Sequence, residues 1–542
     1  MRGTSSAWVA GLVLVVTSEL FGAPPDVTSL FPAGGCRGTS IASTIQGKLG
    51  DGVCHFWCSR RGIRVTFPEK PGPIQIDIAA DAEPGVCWLR FFNAEGASGL
   101  RPFVVGTCDE INEVEPNDEF AIAQPLPRLP VVVNGQHGKN GDADSFALSL
   151  KRGQVLVASL MAHSVLGSPQ DAVLQILGPE GFVWEQNEDD QGFDPQLAFV
   201  APADGLYTLR TWAFPAAPDS SIRLFGNPAC VYRLTVTSDA FVDHLSPAAV
   251  QAGLRQSVHL RGWNVPEAGI DIEPPVSALQ CRFEWPVSGW NHRLPVMALV
   301  EPHSTSVEVE PNEAARPQVI SIPISITGQI AQARDVDAYQ FTGKKGQQIR
   351  FEVIAREMGS PLDPVLRLSD SSGKVLKEAD DDGKQSADPD FEFTVPADGD
   401  YRIAVTDRFL HHGDRYWYVL AMTESRPDFA VTVSADSFVL TPGEGKEIPV
   451  TVARLAGFSD QISVGIHGLP SGVVAEVAIS EPKGDSAKSV KLLLKTDGQT
   501  EFSGPIRVWG RAKTSTDFEH AATHAMKSFG AATSEIWLTV KK

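Results

Sequence analysis

An internal repeat is the feature that most constrains how this chain can fold. The phrase EVEPNDEFAIAQPL begins at Glu113, and EVEPNEAARPQVI begins at Glu308. The match continues: GDADSFAL, DAVLQILGPEG and FVAPADGLYTLRT correspond to RDVDAYQF, DPVLRLSDSSG and FTVPADGDYRIAV, at offsets of 192 to 195 residues. Self-similarity at a fixed spacing indicates one folding unit written twice. The sequence therefore predicts a module of about 115 residues in two copies.

The repeated module has the pattern of β-structure. Apolar and polar residues alternate over residues 349–353 and again over 401–405, which is the period of a half-buried strand. The turn sequence Pro-Ala-Asp-Gly occurs at 202–205 and at 396–399. No amphipathic segment of helix length interrupts the strands. We therefore predict an all-β chain of tandem β-sandwich or jelly-roll domains.

Three motifs occur in both copies: an opening E-x-E-x-N, a D-x-D-x-[YF]-x-F with Leu148 in place of the last Phe in the first copy, and a late PADG followed by Tyr. Together they resemble the bacterial pre-peptidase C-terminal (PPC) domain, over about 230 residues in the two copies. That domain is a β-sandwich usually appended to secreted proteases and also found in other exported proteins. Its relatives include the collagen-binding domains of clostridial collagenases, in which acidic and amide side chains hold calcium.

The resemblance implies one Ca²⁺ site in each copy. Carried over residue by residue, the ligands are Glu113, Glu115, Asn117, Asp118, Asp142 and Asp144 in the first copy, and Glu308, Glu310, Asn312, Asp335 and Asp337 in the second. Calcium prefers six to eight oxygen ligands, and alternate residues of an extended segment send carboxylates to one side. The alternative is a solvated acidic linker followed by a strand-entry turn. Two further acidic runs, at 189–190 and 380–382, are expected to be solvated loops.

A shorter lead-in precedes each copy, so the repeating unit is a pair of domains. VTSLFPAGGCRGTS from Val27 corresponds to VDHLSPAAVQAGLRQS from Val242, and both resemble the start of a TIG/IPT immunoglobulin-like domain. The phrase GFSDQISVGIHGLPSGV resembles a bacterial surface Ig-like repeat, and the whole architecture resembles exported planctomycete-type proteins. The predicted layout is a signal peptide (1–23), a TIG/Ig-like domain (24–110), a PPC-like domain (111–238), a TIG/Ig-like domain (239–307), a PPC-like domain (308–424) and a C-terminal Ig-like domain (425–542).

Composition and the N-terminus favour an exported protein. The 542-residue chain has a net charge of −20, which argues against nucleic acid as a partner. Arg2 and the apolar run 7–16 are typical of a signal peptide, and no later apolar run is long enough to span a membrane. We expect a periplasmic, cell-surface or extracellular location. Five of the seven cysteines precede residue 110, where a structural disulfide is expected in preference to a metal or catalytic role.

No catalytic constellation emerges from the sequence. GTSIAS around Ser40 resembles the serine motif of subtilisin-like proteases, but too few residues precede it to hold the rest of a triad. His520 and His524, and the pair His411-His412, are interpreted as surface histidines rather than metal ligands. We therefore predict a secreted non-catalytic binding or scaffold protein that presents surfaces to an extracellular protein or polysaccharide. The alternative is a secreted hydrolase, or a protease accessory, with an unrecognised or lost catalytic site.

Overall fold

The structure is a computed structural model. It describes residues 22–218, 223–267, 269–276, 281–285, 291–292, 295–383, 386–514 and 519–542, and of 281–285 it describes the backbone alone. The predicted signal peptide lies outside the described residues except for its last two positions. None of the helices in the described ranges has the length and apolar character that a membrane-crossing helix needs.

The chain is nearly all β, as predicted. Its strands form five modules, which we call A to E. Module A contains a four-stranded sheet, ordered β1-β3-β6-β5, and a five-stranded sheet, ordered β2-β9-β7-β4 with β8 paired to β7. Its strands are β1 (Asp26–Phe31), β2 (Gly34–Cys36), β3 (Ser40–Lys48), β4 (His55–Cys58), β5 (Ile63–Thr66), β6 (Ile74–Ile78), β7 (Gly85–Asn93), β8 (Gly96–Ala97) and β9 (Arg101–Gly106).

Module B, the first copy of the repeat, is a sandwich of two five-stranded sheets. The sheet orders are β10-β12-β19-β14-β17 and β11-β13-β18-β15-β16. Its strands are β10 (Glu110–Asn112), β11 (Gln124–Pro125), β12 (Val131–Gln136), β13 (Asp144–Leu150), β14 (Val155–Met161), β15 (Gln170–Leu177), β16 (Val183–Asn187), β17 (Gln196–Val200), β18 (Gly205–Pro215) and β19 (Val231–Thr237). A 3₁₀ turn (Phe120–Ile122) and the short helix α1 (His163–Leu166) complete it.

Module C is smaller, with two three-stranded sheets, β20-β22-β23 and β21-β25-β24. Its strands are β20 (Phe241–Ser246), β21 (Ala249–Gln251), β22 (Gln256–Trp263), β23 (Gly269–Ile272), β24 (Cys281–Trp285) and β25 (Val296–Glu301).

Module D, the second copy, repeats the strand order of module B without change: β26-β28-β35-β30-β33 and β27-β29-β34-β31-β32. Its strands are β26 (Thr305–Val307), β27 (Gln318–Val319), β28 (Ile324–Gln329), β29 (Asp337–Gly343), β30 (Gln348–Ile354), β31 (Pro364–Asp370), β32 (Val375–Ala379), β33 (Asp390–Thr394), β34 (Gly399–Asp407) and β35 (Trp417–Glu424), with a 3₁₀ turn at Arg356–Met358. The predicted alternation is confirmed in β30, where Ile349, Phe351 and Val353 are buried.

Module E has a four-stranded sheet, β36-β38-β42-β40, facing the order β37-β47-β43-β39-β41 with β44 paired to β43, and a hairpin β45-β46. Its strands are β36 (Asp428–Val433), β37 (Ser437–Leu440), β38 (Lys446–Leu455), β39 (Ile462–His467), β40 (Val473–Ala475), β41 (Ala478–Ser480), β42 (Ser489–Thr496), β43 (Phe502–Ala512), β44 (Glu519–Ala521), β45 (His524–Met526), β46 (Ala531–Thr533) and β47 (Ile536–Val540), with 3₁₀ turns at Asp485–Ala487 and Lys527–Phe529.

The modules pack in repeated pairs. A small apolar core joins A to B and includes Ala33, Val104, Met161, Leu166 and Val231. A similar core joins C to D and includes Ala248, Leu299, Ile354, Met358 and Trp417. Apolar contact between modules removes surface from water and so favours a fixed arrangement over a flexible string. The pair of modules therefore repeats as one unit.

Module E packs back against module A. The Arg90 guanidinium, which is only 1% exposed, donates to Asp436 Oδ2 at 2.8 Å. The ring of Trp537 lies 4.8 Å from that of Phe92 and 6.1 Å from that of Trp57, measured between centroids. A buried ion pair within an aromatic contact favours one orientation of the two modules, because separating them would expose the rings and leave the Arg90 guanidinium without its carboxylate.

The expected disulfide is not formed in this structure, because the described cysteines are free thiols. Cys58 and Cys87 lie on the paired strands β4 and β7, at the core of module A. A hydrogen bond between the two thiols lowers the pKa of Cys58 and raises that of Cys87.

Candidate metal centre

The leading segment of module D brings three carboxylates together at the start of β29. Glu310, Asp335 and Asp337 each place an oxygen within 4.8 Å of the other two. The peptide N–H of Asn312 donates to Glu310 Oε2 at 2.9 Å, and its carbonyl accepts from the N–H of Ala338 at 2.8 Å. These bonds fix the acidic segment against the sandwich. Alternation along β29 and the segment before it then turns Asp335 and Asp337 to the same side.

A second row of groups lies behind this cluster. The Tyr418 hydroxyl donates to Asp337 Oδ2 at 2.7 Å and lies 2.7 Å from the hydroxyl of Tyr339. Glu308 Oε1 accepts from the N–H of Gln329 at 2.8 Å. Gly328 makes this approach possible, because a Cβ at that position would lie 2.4 Å from the Tyr418 hydroxyl and 2.8 Å from Glu308 Oε2.

Module B repeats the cluster. Glu115, Asp142 and Asp144 each place an oxygen within 4.8 Å of the other two. The side-chain amide of the fully buried Asn117 lies 3.1 Å from both Glu115 Oε2 and Asp144 Oδ1, and with its nitrogen on that side it donates a hydrogen bond to each carboxylate. Asn117 therefore holds Glu115 and Asp144 next to each other.

The second row is also present in module B, with changes. Tyr232 donates to Asp144 Oδ2 at 2.7 Å and lies 3.2 Å from Glu113 Oε2. A Cβ on Gly135 would lie 2.2 Å from the Tyr232 hydroxyl. The buried ring of His137 adds Nε2 at 3.6 Å from Asp144 Oδ2, where module D has the apolar Ile330.

Lys139 distinguishes the two clusters. Its ammonium lies 3.7 Å from Asp142 Oδ1 and 3.9 Å from Asp118 Oδ2, so it partly neutralises the acids of module B. The corresponding residue in module D is the uncharged Gln332. Asp118, a predicted ligand, accepts from the N–H of Ala143 at 3.4 Å and is not one of the three converging acids.

The electrostatics of both clusters oppose ionisation of all the acids at once. Burial, reinforced by the neighbouring Asp144, raises the pKa of Glu113 to about 10, and burial raises that of Asp144 to about 6. Burial, with Asp337 beside it, raises the pKa of Glu308 to about 9, and burial raises that of Asp337 to about 7. Desolvation and like charge both disfavour the ionised form, and a cation reverses this penalty.

Unpaired atoms point the same way. Asp337 Oδ1, Glu308 Oε2 and both side-chain atoms of Asn312 are buried and have no hydrogen-bond partner among the described residues, and the same is true of Asp142 Oδ1. A buried polar atom without a partner carries a desolvation cost, and hard oxygen atoms are the ligands of Ca²⁺. The donor set therefore fits that ion in both modules.

The residues of the second row also match between the two copies of the repeat, so the sequence contained a signal for them. Gly135-Gln136 corresponds to Gly328-Gln329, and Tyr232 corresponds to Tyr418. They were missed because neither glycine nor tyrosine is a usual calcium ligand. Their role is to shape and hydrogen-bond the carboxylates.

The other sequence candidates lie elsewhere. The Ser40 hydroxyl, on β3, donates to Asp77. His520 and His524 lie on strands β44 and β45 rather than on a helix, and they contact Asp428 Oδ1 at 2.8 Å and the Val433 carbonyl at 3.1 Å. Across the residues that the structure describes, three metal-capable side chains converge only at the clusters of modules B and D.

The sequence prediction of a solvated loop at 189–190 agrees with Asp189, which is exposed, but is wrong for Asp190. Asp190 accepts two hydrogen bonds from the Arg415 guanidinium of module D, at 2.6 and 2.8 Å. The charge is used at a contact between modules, which the local sequence does not reveal.

Comparison with known proteins identifies one domain. Residues 335–407 match the family model of the bacterial pre-peptidase C-terminal domain, within module D. The chain is also 30% identical over 218 residues to a probable subtilase-type serine protease of Deinococcus radiodurans, an alignment that covers 39% of this chain and 23% of the relative. The chain thus spans about a quarter of that protein's length.

Two solved structures are also similar. The pre-peptidase C-terminal domain of a collagenase from Bacillus anthracis is 16% identical and is covered completely, over 21% of this chain, with a TM-score of 0.17. A periplasmic inhibitor of g-type lysozyme from Aeromonas hydrophila, PliG, is 14% identical and is covered over 96% of its length, over 24% of this chain, with a TM-score of 0.16. Scores this low carry no argument about what this chain does.

Proposed function

We propose that this chain is an exported, non-catalytic binding or scaffold protein in which modules B and D each hold one Ca²⁺ ion. The observation that carries the proposal is the twofold convergence of three carboxylates beside a buried asparagine. Module B is proposed to be a second pre-peptidase C-terminal domain, since it repeats both the motifs and the strand order of module D.

The proposed ligands act at the point where each module begins. In module D, Glu310 comes from the leading segment, whereas Asp335 and Asp337 come from the start of β29. Calcium supplies the positive charge that lets these carboxylates ionise together. Tyr418 orients Asp337, and the peptide N–H of Gln329 orients Glu308, so the second row fixes the ligands.

An extracellular, cell-surface or periplasmic location agrees with the matched domain and with the subtilase-type relative. The relative also favours a second function, in which the chain is an accessory to a peptidase. The two functions separate in an assay of peptide hydrolysis. The scaffold proposal predicts no turnover by the purified chain, and turnover abolished by one substitution would overturn it.

Calorimetric unfolding of the full chain in millimolar CaCl₂ and in EDTA tests the calcium proposal. At a calcium concentration 100-fold above Kd, linkage predicts about 2.7 kcal/mol of stabilisation per site, which raises the melting temperature of a module of this size by several degrees. Asp337→Asn should abolish the shift of module D. The control is Glu378→Gln, an exposed acid paired with Arg367 away from the cluster. Equal melting with calcium and with EDTA would disprove the calcium sites.

A further inference from the structure

Module B exposes a group of apolar side chains at one edge of its second sheet. Phe182 is 72% exposed, Trp184 is 54% exposed and Phe120 is 38% exposed. A Cβ on Gly181 would lie 3.9 Å from the Phe120 ring, and one on Gly178 would lie 2.1 Å from Trp184 Nε1. Gly178 therefore lets the Trp184 ring lie against the backbone of this hairpin, and the Phe120 ring lies beside Gly181. Exposed apolar groups clustered in this way mark interaction surfaces.

Module D provides a matched comparison, because its corresponding edge is charged. Lys374 stands in place of Phe182, Leu376 in place of Trp184 and Lys377 in place of Glu185, as the strand pairing shows. The Lys377 ammonium donates to the Glu392 carbonyl at 3.2 Å and lies 4.5 Å from the centre of the Phe391 ring. A lysine across an edge strand is a common protection against pairing with another chain.

The apolar edge of module B belongs to a strand that ends its sheet. Among the described strands, β16 pairs with β15 alone, so the backbone groups on its outer side face away from the sheet. An exposed edge can accept an extended peptide as an additional strand, through backbone hydrogen bonds together with contacts to alternate side chains. The edge in module B carries no lysine comparable to Lys377.

Charge defines the chemistry of the occupant. Residues 178–190, GPEGFVWEQNEDD, contain five acids and no Lys, Arg or His. The amide of Gln186, in β16, donates to Glu188 at 2.5 Å, which orders the acidic end of the strand. Asp190 is already paired with Arg415, so the acids that carry this argument are Glu180, Glu185, Glu188 and Asp189. Apolar groups beside these acids complement an extended peptide that alternates apolar and basic residues.

We propose that the β16 edge of module B binds an extended polypeptide with alternating apolar and basic residues as an added strand. The proposal rests on the binding function proposed above and makes it specific to one module. It is independent of calcium, because β16 is not one of the strands that carry the acidic clusters.

Fluorescence anisotropy with a synthetic probe tests this proposal on the full chain. The probe is a fluorescein-labelled peptide of eight residues that alternates valine and lysine. Replacing the module B edge by that of module D, with Phe182→Lys, Trp184→Leu and Glu185→Lys, should weaken binding at least about tenfold. The control is Val474→Lys, an equally exposed apolar position in module E, which should leave binding unchanged.

Two further probes check the mode of binding. A peptide of the same sequence with alternate backbone nitrogens methylated should lose binding, because strand addition needs those N–H groups. A peptide of alternating valine and glutamate should bind at least about tenfold more weakly than the lysine peptide. Equal binding of the methylated peptide would overturn strand addition, and equal binding of the glutamate peptide would overturn the charge argument.

Other occupants give distinct results. The proposal is overturned if the triple variant binds the lysine peptide as well as wild type does. It is also overturned if wild type binds a cello-oligosaccharide instead of the peptide and the triple variant loses that binding. A concentration-dependent dimer that the triple variant cannot form, without peptide binding, would assign the edge to a second copy of this chain. The peptide result is also read in EDTA and with Asp337→Asn, so that failure of the calcium proposal is seen separately.

Discussion

The Arg415 guanidinium of module D binds Asp190 of module B through two hydrogen bonds, at 2.6 and 2.8 Å. The same guanidinium donates to both carboxylate oxygens of Asp243 in module C, at 3.1 and 3.2 Å, and lies over the Trp263 ring. One side chain therefore joins three modules. The residues that it contacts are far apart along the chain and adjacent only in the folded arrangement.

Replacing Arg415 by Met should loosen this joint. The change leaves Asp190 and Asp243 buried without their cation, and breaking a buried pair in this way costs about 3–5 kcal/mol. We expect an earlier calorimetric transition and a larger radius of gyration in small-angle scattering. Arg367→Met, which removes an exposed pair with Glu378, is the control and should change neither quantity. An unchanged radius of gyration in Arg415→Met would show that apolar contacts alone hold the joint.

The same joint should weaken in acid. Burial alone would raise the pKa of Asp243, but the Arg415 guanidinium and the hydrogen bond with His244 hold it well below its usual value. A depressed folded pKa contributes stability above the unfolded pKa of about 3.9, and that stability is lost as the pH falls below about 4. The difference in melting temperature between wild type and Asp243→Asn should therefore be largest near pH 6 and shrink at pH 3. A constant difference would contradict this linkage.

Gly328→Ala should disable the centre in module D. The new methyl group would lie 2.4 Å from the Tyr418 hydroxyl and would force Tyr418 or Glu308 to move, at a cost of about 1–3 kcal/mol. We expect a lower melting temperature in EDTA and a smaller shift on adding calcium. Gly72→Ala, where the nearest atom is 3.7 Å away, is the same chemical change without the clash. A full calcium shift in Gly328→Ala would remove Tyr418 and Glu308 from the site.

Lys139→Gln should strengthen calcium binding by module B. The ammonium competes with the ion for Asp142 and Asp118, and glutamine is what module D has at this position. Titration calorimetry of wild type should give two affinities, and the variant should raise the weaker one several-fold, most at low salt. Lys151→Gln is the control, since Lys151 pairs with Asp204 away from the cluster. An unchanged calcium affinity in Lys139→Gln would show that the Lys139 charge does not affect calcium binding by module B.

Asp436→Ala should release module E from module A. Arg90 would keep its hydrogen bond to the Ser98 carbonyl but would remain buried without a carboxylate, which costs about 3–5 kcal/mol. The double change Arg90→Met with Asp436→Leu should recover much of this loss. Limited proteolysis between modules D and E, followed by size exclusion, reports whether E stays bound. Release of E from the double variant as well would show that the ion pair itself, rather than its packing, holds the contact.

The sequence by itself determined the all-β class, the twofold module and the acids that converge in each copy. These properties are local: alternation of apolar residues defines a strand, and acids two residues apart in an extended segment share one side. The spacing of Asp335 and Asp337 placed these two acids on one side, whereas the resemblance to the pre-peptidase C-terminal domain added Glu310 from the leading segment.

Only the tertiary structure decided which distant groups meet these acids and which charges serve another purpose. Tyr418, on β35 of one sheet, reaches Asp337, on β29 of the other, because the two sheets stack face to face, and Asp190 binds Arg415 because modules B and D pack against each other. No local pattern records such contacts, since they depend on how sheets and modules stack. The sequence of an acidic run is the same whether its carboxylates face water or pair with a guanidinium. The packing of the modules determines which of the two occurs.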